Sequence, residues 1–103
     1  MSNPEVLALH DDSQQTFSVG LADGLTGLLQ YQWRASPSGR ARVMQLMHTF
    51  VPQQLRGQGQ GSVLMEAVLT EVAAMGVLVE PVCGYTKTYL LRHAPRWGHL
   101  VAM

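Results

Sequence analysis

Between Pro52 and Gly61 the hydrophobic period of the chain changes, and few folds accommodate a change made in this way. Upstream, apolar residues alternate as they do along strands. Downstream, Leu64, Met65, Val68, Leu69, Val72 and Met75 recur at helical spacing, with Glu66, Thr70 and Glu71 off that stripe. The segment between, Gln53 to Gly61, is polar and glycine-rich. Gly76 is a natural helix stop. The run Val77-Leu78-Val79 that follows has the fully apolar character of a buried strand. Strand, helix and strand therefore form one βαβ unit, whose crossover is expected to be right-handed.

The upstream half reads as strands. Val6, Ala8 and His10 alternate with Leu7 and Leu9 before the turn signal Asp11-Asp12-Ser13. Thr16 to Val19 is a second strand, closed by Gly20 through Gly24. Leu25 to Trp33 is a third, with β-favouring Tyr31 and Trp33 near its end. Ala35-Ser36-Pro37-Ser38-Gly39 is a loop, and Ala41 to Val51 a fourth strand. Strict alternation along that strand puts Leu46, His48 and Phe50 on one face and Gln45, Met47, Thr49 and Val51 on the other. Short connections make these strands an antiparallel meander. A second helix is predicted from about Thr86 to His93, ending before Pro95, with room for a short strand at Leu100-Val101. The expected class is α/β (α+β): a four-strand antiparallel meander, a βαβ unit and a C-terminal helix, in one domain over 1–103.

Composition narrows the partners. The 103 residues hold Lys+Arg 7 against Asp+Glu 7, with Lys87 the lone lysine, so no basic footprint for nucleic acid is expected. Arg34, Arg40 and Arg42 cluster as a solvated hairpin end does. One cysteine excludes an intrachain disulfide. No segment approaches the roughly 18 to 20 apolar residues of a membrane helix. The start, MSNPEVLALHDD, lacks the basic residues of a secretory signal, so a cytoplasmic protein is expected. His48, Cys83, His93 and His99 show no metal-ligand spacing, and no metal is expected.

The loop Arg56-Gly57-Gln58-Gly59-Gln60-Gly61 carries the chemistry. A helix start leaves N–H groups unpaired and bears the positive end of the helix dipole. Glycines let those amides approach an anion, and Arg56 can add a charged contact. The alternative is a plain strand-to-helix turn, which needs fewer glycines. A Walker loop is excluded, because Ser62-Val63 follows Gly61 where Lys-Ser/Thr is required. A dinucleotide fingerprint would need its third glycine at Ser62, although Glu80 lies at the spacing of a ribose contact.

The pattern Arg/Gln-x-x-Gly-x-Gly/Ala is matched by Arg56, Gly59 and Gly61. It resembles the coenzyme A pyrophosphate loop of the GNAT superfamily of acetyltransferases. The resemblance runs from about Leu46 to Pro95, through "HTFVPQQLRGQGQGSVLMEAVL", Cys83, Tyr85, Tyr89 and "LRHAP". It is similar to the small YjdJ-type branch, with His48-Thr49, Val51-Pro52, the Arg-Gly-x-Gly loop, Cys83 and Tyr89 at family positions.

The resemblance implies a minimal GNAT fold whose fourth and fifth strands splay apart to admit acetyl-CoA. The strand backbone at Thr49, Phe50 and Val51 would pair with the pantetheine arm. The amides of Arg56, Gly57, Gln58, Gly59, Gln60, Gly61 and Ser62 would hold the pyrophosphate. The implied reaction is acetyl transfer to an amine acceptor, which needs a neutral amine, a polarised carbonyl and a proton for the leaving thiolate. Tyr85 and Tyr89 are candidate acids, His48 a candidate base and Cys83 a candidate nucleophile at a helix start. Each also has a plain packing role available. Full-length relatives carry two helices between the first two strands, and Asp11 to Gln15 leaves no room for them. The acceptor wall is therefore minimal. It fits a bulky acceptor, a homodimer in which Trp33, Phe50 and Trp97 serve the interface, or a CoA-binding module without turnover. A nucleotide-binding domain using the same loop is the remaining alternative.

Overall fold

A computed structural model describes residues 7–36, 39 and 42–102. Val6, Arg40, Ala41 and two residues of the expected loop, Pro37 and Ser38, lie outside them. One sheet runs in the order β1-β2-β3-β4-β5. Its strands are β1 (Ala8–Asp11), β2 (Thr16–Gly20), β3 (Thr26–Ala35), β4 (Arg42–Phe50) and β5 (Leu78–Pro81). The first four pair antiparallel, and β5 lies parallel to β4. The expected meander and βαβ connection are both present. The connecting helix α1 (Gln60–Met75) covers one face of the sheet, burying Leu64, Met65, Val68, Leu69 and Val72 against Phe17, Val19, Leu29 and Tyr31. Ala67 joins that stripe, whereas Met75 is exposed in the last turn before Gly76 ends the helix at φ +72°.

The second helix, α2 (Gly84–Arg92), starts two residues earlier than the periodicity suggests, with Cys83 as its N-cap. Pro95 does not close it. Pro95 instead sits in the first turn of a further short helix, α3 (Ala94–Trp97), where a missing N–H costs nothing. Val101 then bridges Val79 in parallel, close to the short strand expected there.

Strand β4 departs from strict alternation. The pairing register with β3 shifts between Gln30 and Tyr31, so Tyr31 faces Leu46 while Gln30 faces His48, and Met47 is the extra residue. A bulge of this kind turns the following side chains over. Leu46 is buried against Tyr31, and Thr49 pairs with fully buried Leu29, so both face α1. His48 and Phe50 therefore point to the outer face and are exposed. The expected grouping of Leu46 with His48 and Phe50 is corrected accordingly.

The short β1–β2 turn is fixed by a polar cluster. Asp12 Oδ1 accepts from the Tyr31 hydroxyl at 2.6 Å and from Trp33 Nε1 at 2.8 Å. Tyr31 has spent its one proton there, so His10 Nε2, at 2.5 Å from the same hydroxyl, acts as donor. The His10 ring stacks on Phe17 at 4.5 Å. Gln15 takes φ +52°, and its carbonyl accepts the Tyr31 N–H at 3.0 Å. Among the described residues no helix is long and apolar enough to cross a membrane.

Candidate functional site

The β4–β5 ladder runs only from Val43↔Leu78 to Leu46↔Pro81. Beyond it the chain turns away from β4, and the amides of Val82 and Cys83 both donate to the Leu46 carbonyl, at 3.0 and 2.9 Å. The rest of β4, Met47 to Phe50, has left its parallel neighbour. The Met47 bulge and the end of the ladder thus coincide, and a gap opens between β4 and the start of α2.

A cleft of about 440 Å³ lies at this gap, lined by Thr49, Val51, Leu55, Arg56, Gly57, Gly59, Gly61, Ser62 and Tyr85. One end is the mouth of α1. Gly59 is the N-cap at φ +77°, with no side chain capping the first turn, and Gly57 stands at φ +80°. Both glycines hold a backbone that other residues adopt only with strain. The first four N–H groups, from the N-cap Gly59 to Ser62, lack intrahelical partners and lie at the positive end of the helix dipole.

Two loop amides are not available. The Arg56 N–H donates to Gln53 O at 3.2 Å and the Gln58 N–H to Leu55 O at 3.2 Å, within a tight turn. The side chains of Gln58 and Gln60 are also committed, to Gln54 O at 2.9 Å and to the Ala22 N–H at 3.0 Å. Arg56 Nε donates to Val51 O at 3.2 Å, which anchors the exposed guanidinium beside the mouth. Gly61 needs the absence of a side chain for another reason. A Cβ there would collide with the Tyr85 ring, 2.8 Å from Cζ and nearer still to the hydroxyl. Burial pushes the Tyr85 hydroxyl up from its ordinary range, against a hydrogen bond with Ser62.

At the other end Cys83 Sγ lies 3.7 Å from Thr49 Oγ1, across the gap. Burial raises its pKa. The opposing hydrogen bonds outweigh that: the Thr86 amide, the Thr49 hydroxyl and the amides of Tyr85 and Thr49 bring the thiol below its ordinary value. The cleft therefore has the uncapped first turn of α1 at one end and, at the other, Thr49, which touches the Cys83 thiol behind it.

The remaining sequence candidates are placed elsewhere. Tyr89 is buried, and its hydroxyl donates to Glu66 Oε2 at 3.4 Å in a separate recess between α1 and α2. Burial, followed by the Glu66 charge, raises its pKa. His48 and Phe50 project from the outer face, for the reason the bulge supplies. Glu80 is not near the glycine loop either. It accepts from Arg34 Nε at 2.7 Å and Gln45 Nε2 at 2.9 Å, and these hold its carboxyl below the usual range. The site residue that sequence reasoning passed over is Leu55, in the turn before the loop. Its only signal was one apolar residue within a polar run.

A sequence profile of the GCN5-related N-acetyl-transferase family matches residues 16–100. The chain belongs to that family. The match spans β2 to the turn after α3, so it covers the cleft, the loop and both helices that flank them. The five-stranded mixed sheet with its helices is the architecture expected of a GCN5-related fold.

Proposed function

We propose that this protein is an acetyl-CoA-dependent N-acetyltransferase acting on an amine acceptor. The observation that carries the reading is the two-ended cleft at the β4–β5 gap. Its dimensions suit the phosphopantetheine portion of coenzyme A. The uncapped amides of α1, the Arg56 guanidinium and the Ser62 and Tyr85 hydroxyls would hold the pyrophosphate. The backbone of Thr49, Phe50 and Val51 would pair with the arm that runs toward Cys83. When bound, acetyl-CoA supplies an acetyl thioester open to attack by an amine.

The chain's own groups divide the remaining work. Tyr85 keeps its proton at neutral pH and donates it at the anion-binding end. The Cys83 sulfur, held by Thr49 and the first amides of α2, offers a second route: it would take the acetyl group from the thioester, give its proton to the departing CoA thiolate, and pass the acetyl on to the amine as the thiol re-forms. Tyr89 orders α2 against Glu66, and His48 meets whatever approaches the outer face.

Calorimetric titration with acetyl-CoA and CoA tests the reading, with ATP and NAD as controls and Arg56→Ala alongside. The expected result is saturable binding of both CoA forms, at least tenfold weaker in Arg56→Ala, with no binding of ATP or NAD. Tighter binding of ATP or NAD would assign the loop to a nucleotide instead.

A further inference from the structure

The outer face of the sheet is divided in two. Over Val43, which is fully buried, Gln32 donates to Gln45 at 3.1 Å, and Gln45 and Arg34 both donate to Glu80. That half is covered by its own hydrogen-bonded side chains. The other half is not. Register places Leu9, Ser18, Leu28 and Phe50 side by side across β1, β2, β3 and β4. Leu9 is 72% exposed, Phe50 50% and Leu28 39%. The neighbouring row is Asp11, Thr16, Gln30 and His48. Its one carboxylate, at the far edge, is engaged by Ser13 Oγ at 2.7 Å and the Gln14 N–H at 3.2 Å.

The apolar row ends on Phe50, between Thr49 and Val51, which line the cleft from the inner side. It therefore leads to the gap where β4 has lost β5. We propose that this row is the docking track of the acceptor, and that the acceptor is a polypeptide segment whose reactive amine is flanked by apolar side chains. The proposal rests on the acetyltransferase reading above.

Three considerations select this occupant. A polycationic acceptor would find a single carboxylate along the rows, Asp11, at the edge farthest from the gap. The attacking amine must be neutral, and apolar surroundings favour the neutral form by desolvation. The row also exposes on the order of 300 Å² of apolar surface, within the class of functional patches but below the ~450 Å² apolar share of one side of a standard stable interface. Brief engagement by a substrate segment fits that area, and a permanent dimer does not.

The test uses the full chain, isotopically labelled, with three probes: the capped peptide Val-Leu-Lys-Phe-Val, the capped peptide Glu-Glu-Lys-Asp-Glu, and spermidine. The apolar peptide is expected to shift the amide resonances of Leu9, Ser18 and Leu28. It should be acetylated with a kcat/KM at least tenfold above either other probe. The double variant Leu9→Thr/Leu28→Thr keeps β-favouring residues on the strands. It should raise KM for the apolar peptide at least tenfold while kcat and acetyl-CoA affinity stay unchanged. Equal or better use of the acidic peptide or spermidine overturns the proposal. So do shifts that map elsewhere, an unchanged KM, or a stable dimer by sedimentation that buries this row. Failure of acetyl-CoA to bind counts against the acetyltransferase reading alone, because the resonance map reads the track without any transfer.

Discussion

Gly59 and Gly61 stand two residues apart, yet alanine at each acts on stability by a different route. At Gly59 nothing lies within 4 Å of the position a Cβ would take, and φ is +77°. Alanine meets no neighbour there, so its cost is backbone strain alone, about 1 to 2 kcal/mol. At about 4 to 8 °C per kcal/mol for a domain of this size, the melting temperature falls by roughly 5 to 15 °C. Gly61 lies in the first turn of α1 and needs no left-handed backbone. Alanine gains up to about 1 kcal/mol of helix propensity there. Its methyl must displace the Tyr85 ring, which is 42% exposed and can swing into solvent. The lost hydroxyl contact with Ser62 costs about 0.5 to 1.5 kcal/mol, which offsets the gain. Gly61→Ala therefore melts within about 4 °C of the parent. Both variants bind acetyl-CoA at least tenfold more weakly, since both alter the mouth of α1. Thermal unfolding by circular dichroism without ligand, followed by calorimetry, checks each part. If Gly61→Ala melts as far below the parent as Gly59→Ala, the Tyr85 ring is not displaceable. An unchanged melting temperature in Gly59→Ala would refute the strain argument itself.

Thr49→Val removes one of the hydrogen bonds that hold the Cys83 thiol below its ordinary value, so the pH midpoint of iodoacetamide alkylation moves up. An unchanged midpoint would mean that the amides alone set the thiol. Asp12 is held below the usual carboxylate range by the Tyr31 hydroxyl first and then Trp33 Nε1, so the folded state binds fewer protons than the unfolded one. That stabilisation is present above the unfolded pKa and is lost as pH falls through the folded one. Asp12→Asn is accordingly expected to flatten the acid limb of stability followed by tryptophan fluorescence. Phe17→Ala empties a fully buried site under the His10 ring and should cost about 3 to 5 kcal/mol in urea titration. Arg96→Ala breaks a largely exposed pair with Glu66 and should cost under about 1 kcal/mol.

Periodicity carries most of the architecture because its two causes are local. A strand alternates at two, a helix repeats near 3.6, and Gly76 ends the helix by a backbone state that few other residues share. The glycine turn at the mouth of α1 was legible for a related reason: glycines at 57 and 59 mark left-handed positions wherever the rest of the chain goes. What sequence did not show depends on pairing between distant segments. Nothing in Met44-Gln45-Leu46-Met47-His48-Thr49 announces an extra residue at Met47, since the bulge is defined by β3 lying opposite. Likewise Tyr85 and Tyr89 are equivalent candidates on α2 until α1 is in place. Then one meets Gly61 and the other meets Glu66.

The bulge has a cost and a use that follow from one displacement. It gives up regular pairing in a strand that is paired along both edges, and it leaves His48 and Phe50 in solvent. In return, Thr49 and Val51 reach the inner face three and five positions after Leu46, where strict alternation would have turned them outward. The parallel ladder ends at the same residue, with both Val82 and Cys83 tied to the Leu46 carbonyl. Without the shift, Thr49 would turn outward, away from both the Cys83 sulfur and the cleft at the α1 mouth. Deleting Met47 restores alternation and tests the point. The chain should still fold around the sheet and α1, while Cys83 alkylates at the pH of an ordinary thiol and acetyl-CoA binding is lost. Retained binding in a folded deletion variant would show that the gap depends on the end of β5 and not on the bulge.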